Sequence, residues 1–326
     1  MTSASTRTRS WAIALLSAVA LVLAACGGTD TDDAAAQTRT IDTPAGQVEV
    51  PVHPERVVAT HNIGTQPLLD LGIVPVGIAK VPSSIVIPEY AKKLQDVRVV
   101  ANGENINVEK ILELKPDLIL AHSNTNSGVL DQMRSVAPVV LVPIEGELRS
   151  DWQKRVGIIA DAVNRPEQKK QLDADLARHA EAVAASHTDA LRAARINFLD
   201  SYDDADFWAY GPESMVGKIL TAAGAQFAPS ATTMTATRGP GEAQLSREKL
   251  GDHVDGSLIL YSSTMSDPVK PFGKVASVVN SPFVADSAAG RAGNVHPGGY
   301  GLVSNYGQAN DILDRFDTAL AQYRNP

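Results

Sequence analysis

The sequence has few of the residues that several common functions require. It contains one cysteine and seven histidines, and no two histidines are separated by a single residue, so a histidine-rich loop for a bare metal ion is missing. Acidic residues outnumber basic ones by 37 to 29, with no basic stripe of interleaved aromatics. We therefore expect no binding to nucleic acid.

Motifs for catalysis and nucleotide binding are also missing. The segment AYGPESMVGKI approaches a phosphate-binding loop, but Pro212 stands at the first glycine position and Ile219 follows Lys218. GYGLVS departs from G-x-G-x-x-G at Ser304, and neither G-x-S-x-G nor H-E-x-x-H occurs. We do not expect an enzyme. An exported hydrolase whose carboxylate pair is assembled only by the fold stays open as the alternative.

The N-terminus has the pattern of an export signal. Arg7 and Arg9 precede an apolar run at residues 11–23, which is shorter than the roughly 20 residues that span a bilayer. The sequence Leu-Ala-Ala-Cys resembles a bacterial lipobox. Residues 1–25 are thus predicted to be a lipoprotein signal peptide, with Cys26 lipidated and the protein anchored outside the cytoplasm on the cell membrane. An ordinary signal peptide that leaves a free thiol is the alternative.

The rest of the chain predicts a flexible tether and two α/β lobes. Residues 26–40 are small, acidic and free of aromatics, as a tether requires. Short apolar runs then alternate with helical patterns, first over residues 41–164 and again over 194–326, which indicates parallel α/β sheets. The runs predicted as strands are RVVAT, PVGIA, DLILA, PVVLV, RINFLDS and SLILY.

A long helix is predicted between the lobes, over residues 165–193. Pro166 lies at the first turn, and no glycine or further proline follows up to Arg192. The lobes also share a repeated sequence segment, since NVEKILELKPDLIL at residues 107–120 is similar to LSREKLGDHVDGSLILY at residues 245–261. Glu109 and Glu248 occupy its equivalent positions. One matching helix in each lobe is therefore expected.

Candidate ligand contacts follow the predicted strands, because ligands of open α/β sheets bind beyond the carboxyl ends of the strands. Four of the few aromatic residues fall within residues 202–210, and of these Phe207 is expected to pack internally. Ser123, Asn124, Arg149, Ser262 and Ser263 are further polar residues in such loops. The candidates are His61, Asn62, Lys80, His122, Tyr202, Trp208, Tyr210, Arg238 and Tyr300.

The order of RVVATH, LLDLGIVPVGIA, NVEKILELKPDLILA, APVVLV and LSREKL resembles that of class III, helical-hinge solute-binding proteins of ABC importers. The resemblance implies two Rossmann-like lobes bridged by one helix, a ligand cleft between them and little lobe movement. It also implies that Glu109 and Glu248 engage arginines of the permease subunits, and that Trp208, Tyr210 and Arg238 contact the ligand. Helix capping is the alternative role for both glutamates.

The predicted function is capture of a ferric siderophore by a monomeric binding protein without a resident cofactor. Haem, ligated through His61, His122 or Tyr202, and cobalamin remain alternatives within the same importer class. Uptake of a bare metal ion is the third alternative, because the sequence has no histidine-rich loop.

Overall fold

The computed structural model of the chain describes residues 37–326. The predictions for the signal peptide, for Cys26 and for the tether before residue 37 lie outside the described residues. Within residues 37–326, no helix combines the length and the apolar character that crossing a bilayer requires.

The described chain forms three β-sheets. The strands are β1 (Thr38–Thr43), β2 (Gly46–Pro51), β3 (Val57–Ala59), β4 (Gly77–Ala79), β5 (Arg98–Asn102), β6 (Asn105–Ile106), β7 (Leu118–His122), β8 (Val139–Val142), β9 (Ile196–Asp200), β10 (Asp206–Tyr210), β11 (Glu242–Ser246), β12 (Leu258–Tyr261) and β13 (Val295–Pro297).

Helices cover the sheets and connect the strands. They are α1 (Asn62–Asp70), α2 (Pro88–Leu94), α3 (Val108–Glu113), α4 (Ser127–Arg134), α5 (Glu147–Ser150), α6 (Trp152–Ala162), α7 (Pro166–Ser186), α8 (Thr188–Ala193), α9 (Met215–Ala222), α10 (Pro229–Thr233), α11 (Val275–Val279), α12 (Pro282–Ala285), α13 (Ala288–Ala292) and α14 (Tyr306–Ala321), with 3-10 helices at Ser83–Ile85 and Arg247–His253.

The N-terminal lobe is built on a six-stranded sheet in the order β6-β5-β4-β3-β7-β8. All neighbouring strands pair in parallel except β6, which returns antiparallel beside β5. Every residue of β3 and β7 is buried, as expected for strands covered by helices on both faces. The apolar runs of the sequence are therefore strands in the structure.

The C-terminal lobe contains a five-stranded sheet in the order β11-β10-β9-β12-β13. Strands β9, β12 and β13 are parallel, whereas β10 and β11 run antiparallel. No strand is predicted at residues 202–210, but the chain turns back after Asp200 and pairs Trp208 with Asp200. The buried Phe207 and Ala209 alternate with the half-buried Trp208, which is a strand pattern.

A long helix connects the two lobes, which confirms the predicted α/β architecture. Helix α7 has 21 residues, or about 31 Å at 1.5 Å per residue. Leu176, Ala180 and Val183 of α7 pack in the core of the C-terminal lobe, and Leu172 contacts the cores of both lobes. The same helix thus takes part in both hydrophobic cores.

The linking helix and the tether differ in extent from the prediction. The helix stops at His187 and resumes as α8. His187 has a non-helical backbone (φ −128°, ψ 33°), and its Nε2 lies 2.8 Å from a carboxylate oxygen of Asp317. The predicted tether reached residue 40, but β1 already begins at Thr38 and pairs with β2. Ile41 and Val50 anchor this hairpin in the core of the N-terminal lobe.

The lobes contact each other directly beside the ends of their strands. Ile85 and Val86 of the N-terminal lobe pack against Met265 and Tyr300 of the C-terminal lobe. The Asp70 carboxylate accepts a hydrogen bond from the backbone N–H of Tyr306 at 2.8 Å. This contact leaves a cavity between the sheets.

Candidate ligand-binding site

A cavity of about 260 Å³ lies where residues after β3 and β13 meet helices α5, α6 and α9. It has a polar side, formed largely by the N-terminal lobe and its last helices, and an apolar side formed by the C-terminal lobe. Its lining consists of His61, Asn62, Ile63, Ile144, Arg149, Arg155, Met215, Tyr300, Leu302, Val303 and Ser304.

His61 is positioned by the helix that follows it. It is the N-cap residue of α1, and its Nδ1 accepts a hydrogen bond from the backbone N–H of Ile63 at 3.3 Å. Burial, and then the nearby His122 and Arg155, lower the pKa of His61 from 6.5 to about 4. The ring is therefore neutral near pH 7.

His122 lies beside His61 at the end of β7. The two ring centroids are 4.7 Å apart with an interplanar angle of 65°. The Nδ1 of His122 also accepts a backbone N–H, from Asn124 at 3.2 Å, and burial lowers the pKa of His122. When Nδ1 accepts, the proton of a neutral imidazole is on Nε2. Both rings are thus Nε2–H donors, and neither Nε2 has a hydrogen-bond partner among residues 37–326.

Two arginines give the cavity its positive charge. Arg155, only 5% exposed, donates to the backbone oxygens of Arg149 at 2.9 Å and of Val303 at 3.0 Å. Burial, with a smaller contribution from Arg149, lowers the pKa of Arg155 to about 10, so it stays charged. Arg149 forms an ion pair with the fully buried Glu242 at 2.8 Å. Arg155 is therefore the less neutralised of the two cations.

An aromatic row begins at the apolar side of the cavity. The centroid of the Tyr300 ring is 4.9 Å from that of Phe272, Phe272 is 5.9 Å from Tyr202, and Tyr202 is 5.4 Å from Trp208. All three contacts are edge-on. Arg238 lies at the far end, with its guanidinium 5.7 Å from the Trp208 ring and its Nε donating to Gln244 at 2.6 Å.

A buried carboxylate stands behind this row. Asp200 accepts hydrogen bonds from the hydroxyls of Tyr202 at 2.9 Å and Ser262 at 2.7 Å. Burial raises the pKa of Asp200 to about 6, although these hydrogen bonds oppose the rise. The Tyr202 and Tyr210 hydroxyls are 3.3 Å apart, and burial raises the pKa of both phenols well above 10. Asp200 therefore holds the phenol of Tyr202 in place.

The structure separates the predicted contact residues into groups. His61, Asn62 and Tyr300 line the cavity. Tyr202 and Trp208 belong to the aromatic row, with Arg238 at its exposed end.

Two predicted contacts lie elsewhere. Tyr210 is fully buried and packs edge-on against Phe198 in the core of the C-terminal lobe. It lies on the same face of β10 as Trp208, with the two ring centroids 6.4 Å apart. Lys80 is exposed and is not among the residues that line the cavity. Contact of Tyr210 and Lys80 with the ligand stays a prediction.

Arg155 was not among the predicted candidates, although the sequence carries a signal for it. It lies on the same face of α6 as Trp152, Val156 and Ile159, which are all buried. A cation at an apolar helical position must find acceptors inside the protein. A charged residue within this apolar stripe of α6 therefore indicates a buried polar site around Arg155.

The combined arrangement suits an oxygen-rich ligand with an apolar periphery. Two guanidinium groups and the imidazole Nε2–H group of His61, which His122 packs against, offer hydrogen bonds to anionic or carbonyl oxygens. Met215, Leu302 and Tyr300 offer apolar contact. Within residues 37–326, no group of three or more histidine, cysteine, aspartate or glutamate side chains is placed to hold a metal ion.

Comparisons with known proteins agree with this architecture. The chain is 33% identical over 161 residues to the probable siderophore-binding lipoprotein YfiY of Bacillus subtilis, covering 48% of this chain and 49% of that protein. It is 29% identical over 206 residues to the iron(3+)-hydroxamate-binding protein YxeB of the same organism, covering 61% of each. The chain thus spans about half to three fifths of the length of these curated relatives.

Solved structures share the fold at low sequence identity. The siderophore periplasmic binding protein from the fuscachelin gene cluster of Thermobifida fusca superposes with a TM-score of 0.70 at 24% identity, over 83% of this chain and 98% of that one. The profile of the periplasmic binding protein family matches residues 57–297, which is well over half of the sequence. The chain therefore belongs to the periplasmic binding protein family.

Proposed function

We propose that this protein captures a ferric siderophore outside the cytoplasm and delivers it to the permease of an ABC importer. The observation that carries the proposal is the cavity between the sheets, where Arg149, Arg155 and His61 face Tyr300 and Met215. Ferric chelates place oxygens around the metal and apolar groups outside, so cations and N–H donors beside apolar walls match them.

The names of the relatives support the same ligand class. YfiY is named a probable siderophore-binding protein, YxeB an iron(3+)-hydroxamate-binding protein, and FecB of Escherichia coli an iron(3+) dicitrate-binding protein. These ligands all present hard oxygen atoms around ferric iron. Relatives of this kind bind and transport their ligands, and we propose that the present chain likewise performs no catalysis.

The histidine tautomers favour a siderophore over haem. Haem iron needs a lone pair from an axial nitrogen. The Nδ1 lone pairs of His61 and His122 already accept backbone N–H groups, and the Nε2 atoms carry the protons. The pair is therefore suited to donate hydrogen bonds to chelate oxygens.

Delivery requires contact with a membrane partner. Glu109 and Glu248 are exposed at the start of equivalent helices, where paired distant charges steer and orient an approaching protein. We propose that these glutamates dock the permease, that lipidated Cys26 keeps the protein at the membrane, and that it acts as a monomer.

Titration of the purified full-length protein in detergent tests the function. The ligands are ferrioxamine B, a ferric catecholate, ferric dicitrate, hemin and cobalamin, and the signal is tryptophan fluorescence. We expect saturable quenching by at least one ferric chelate, reduced in Trp208→Phe because Trp208 belongs to the aromatic row. Chromatography of the recovered chelate should show no turnover.

Three results would contradict the proposal. A shift of the hemin absorption band on binding, without chelate binding, would indicate a haem carrier. Saturable binding of cobalamin alone would identify the other importer ligand, and hydrolysis of the chelate would indicate an enzyme.

A further inference from the structure

Arg149, one of the two guanidinium groups of the cavity, is held by the opposite lobe. Its Nε donates to Oε2 of Glu242 at 2.8 Å. Its aliphatic stem lies over Gly239, where a Cβ would be 2.6 Å from Cδ of Arg149. Gly239 and Glu242 belong to one turn, because the N–H of Glu242 donates to the backbone oxygen of Gly239 at 2.9 Å. This turn of the C-terminal lobe thus supplies both the space for Arg149 and a counter-charge to it.

Glu242 is shielded from solvent. It is 0% exposed at the start of β11, and its Oε1 has no hydrogen-bond partner among residues 37–326. Burial raises the pKa of Glu242, but the nearby Arg149 opposes the rise and favours the ionised carboxylate. A largely buried ion pair adds little to stability, because removing two charges from water offsets most of their attraction. The pair is therefore better explained by its effect on the cavity than by stability.

The charges around the cavity leave little net positive charge for a ligand. Two lining side chains are cations, Arg149 and Arg155, and Glu242 neutralises the first of them. Asp200, behind the aromatic row, is a further buried carboxylate of the C-terminal lobe. Arg238 lies at the exposed end of that row, where water and salt screen its charge. The cavity thus presents the charge of about one cation, that of Arg155.

Ferric chelates differ in net charge according to their donor groups. Three hydroxamates neutralise the charge of ferric iron, whereas three catecholates exceed it and leave a trianion. A trianion that enters this cavity loses its hydration and meets too few counter-charges in return. A neutral chelate loses less hydration and still accepts hydrogen bonds from Arg155 and from His61. The charge of the cavity therefore favours the chelate of lower charge.

We propose that Glu242 is a specificity-determining residue, which neutralises Arg149 and so makes the cavity select ferric chelates of low net charge over polyanionic ones. This inference rests on the proposed siderophore function. Glu242 acts through Arg149, which still has Nη groups to donate to chelate oxygens. The selection works mainly against the wrong ligand, since an unmatched charge is penalised more than a neutral chelate is favoured.

Titration with two chelates of different charge tests the selection. The probes are ferrioxamine E, a neutral trihydroxamate, and ferric enterobactin, a trianionic tricatecholate, added to purified full-length protein in detergent at low salt. The wild type should bind ferrioxamine E more tightly. Glu242→Gln removes the counter-charge at nearly constant volume and should shift the ratio of the two dissociation constants towards the trianion by about tenfold. Added salt should reduce this shift.

A matched control separates the local charge from the charge of the whole protein. Glu113→Gln removes the same charge from an exposed ion pair with Arg98, and neither residue lines the cavity. The ratio of dissociation constants should not change in this variant. An equal shift in Glu113→Gln and Glu242→Gln would contradict a local role of Glu242.

A double variant separates charge from position. Arg149→Gln combined with Glu242→Gln has the net charge of the wild type but lacks the ion pair. Its ratio of dissociation constants should return to within about threefold of the wild-type ratio. A ratio that stays shifted as in Glu242→Gln alone would show that the pair acts by placing Arg149, and would overturn the charge selection. Thermal unfolding of each variant checks that it is folded.

The outcomes distinguish this inference from the proposed function. The charge selection is rejected, and the siderophore function stands, if the wild type prefers ferric enterobactin or if Glu242→Gln leaves the ratio unchanged. Continued failure of Glu242→Gln to bind the trianion counts as no change. If the wild type binds no ferric chelate at all, both proposals fail.

Discussion

The two sides of the cavity differ in chemistry although they come from similar sheets. The N-terminal side presents the neutral imidazole of His61, with His122 packed against it, and, with helices α5 and α6, two guanidinium groups. The C-terminal side presents an aromatic row backed by the buried Asp200. One side is thus equipped to donate hydrogen bonds to oxygen, and the other to cover apolar surface.

The difference has its origin in strand direction. Near the cavity the N-terminal sheet is entirely parallel, so polar side chains are supplied by the residues that follow each strand. In the C-terminal sheet β10 returns antiparallel beside β9, and Trp208 therefore reaches the edge from within a strand. The same edge of an α/β sheet can thus receive either loop-borne polar groups or strand-borne aromatics.

Among the predicted effects, loss of Arg155 on the polar side of the cavity should lower chelate affinity the most. Arg155→Met removes a buried cation and leaves two carbonyl oxygens without their donor. We expect chelate affinity to fall by about 30- to 100-fold and the free energy of unfolding to fall by about 2 kcal/mol. Fluorescence titration and denaturant unfolding measure the two effects.

Arg315 provides a matched control for that substitution. It is also buried, at 7% exposure, but its partners, which include Asp311 and Ser263, do not line the cavity. Arg315→Met should lower stability and leave chelate affinity unchanged. Equal losses of affinity in both variants would show that Arg155 acts only through the fold.

The pH dependence of stability should have opposite signs on the two sides. The pKa of Asp200 is raised from 3.8 to about 6, so its favourable contribution is full below pH 3.8 and is lost as the pH rises through 6. The pKa of His61 is lowered from 6.5 to about 4, so its contribution is full above pH 6.5 and is lost as the pH falls through 4. Each shift corresponds to at most about 3 kcal/mol.

Unfolding of Asp200→Asn and His61→Asn between pH 4 and 6.5 measures these contributions. The stability advantage of the wild type over Asp200→Asn should shrink as the pH rises, and its advantage over His61→Asn should grow. Parallel pH profiles for the two variants would contradict the predicted opposite pH dependences of Asp200 and His61.

Replacement of either histidine should lower chelate affinity less than replacement of Arg155 does. His61→Asn and His122→Asn keep a side-chain acceptor for the backbone N–H of Ile63 and Asn124 but lose the Nε2–H donor. Each should weaken chelate binding by about 5- to 10-fold, the contribution of one hydrogen bond. Long-range ¹H–¹⁵N spectra of the wild type should show protons on Nε2. A proton on Nδ1 of either ring would contradict the assignment.

Arg238 at the end of the aromatic row should matter least. It is exposed, and an exposed cation over an aromatic ring contributes about 0.5–1 kcal/mol. Arg238→Gln also removes an exposed positive charge, and should weaken binding of an anionic chelate by about two- to fivefold, the effect of one exposed ion pair. Lys80→Ala removes an exposed cation that faces no aromatic ring and should have no measurable effect. An equal loss in both variants would indicate long-range attraction by net charge, with no role for Trp208.

Regular elements were predictable because local patterns encode them. The strands β7, β9 and β12 lie within the runs DLILA, RINFLDS and SLILY to within one residue, since a strand buried on both faces must be continuously apolar. The antiparallel β10 was not predicted, because the aromatic run FWAY is as compatible with ligand-contacting side chains as with a strand. Its partners β9 and β11 are brought beside it only by the fold. Likewise, the break at His187 carries no glycine or proline signal in the sequence.

The α/β class, the parallel strands of the two lobes and the repeated segment follow from local patterns, because hydrophobic periodicity and helix-start signals act over a few residues. The set of side chains that share the cavity, and the burial of Tyr210 in the core, arise only in the folded chain. Those outcomes depend on the direction of strands and on packing between distant segments, and no local pattern records them.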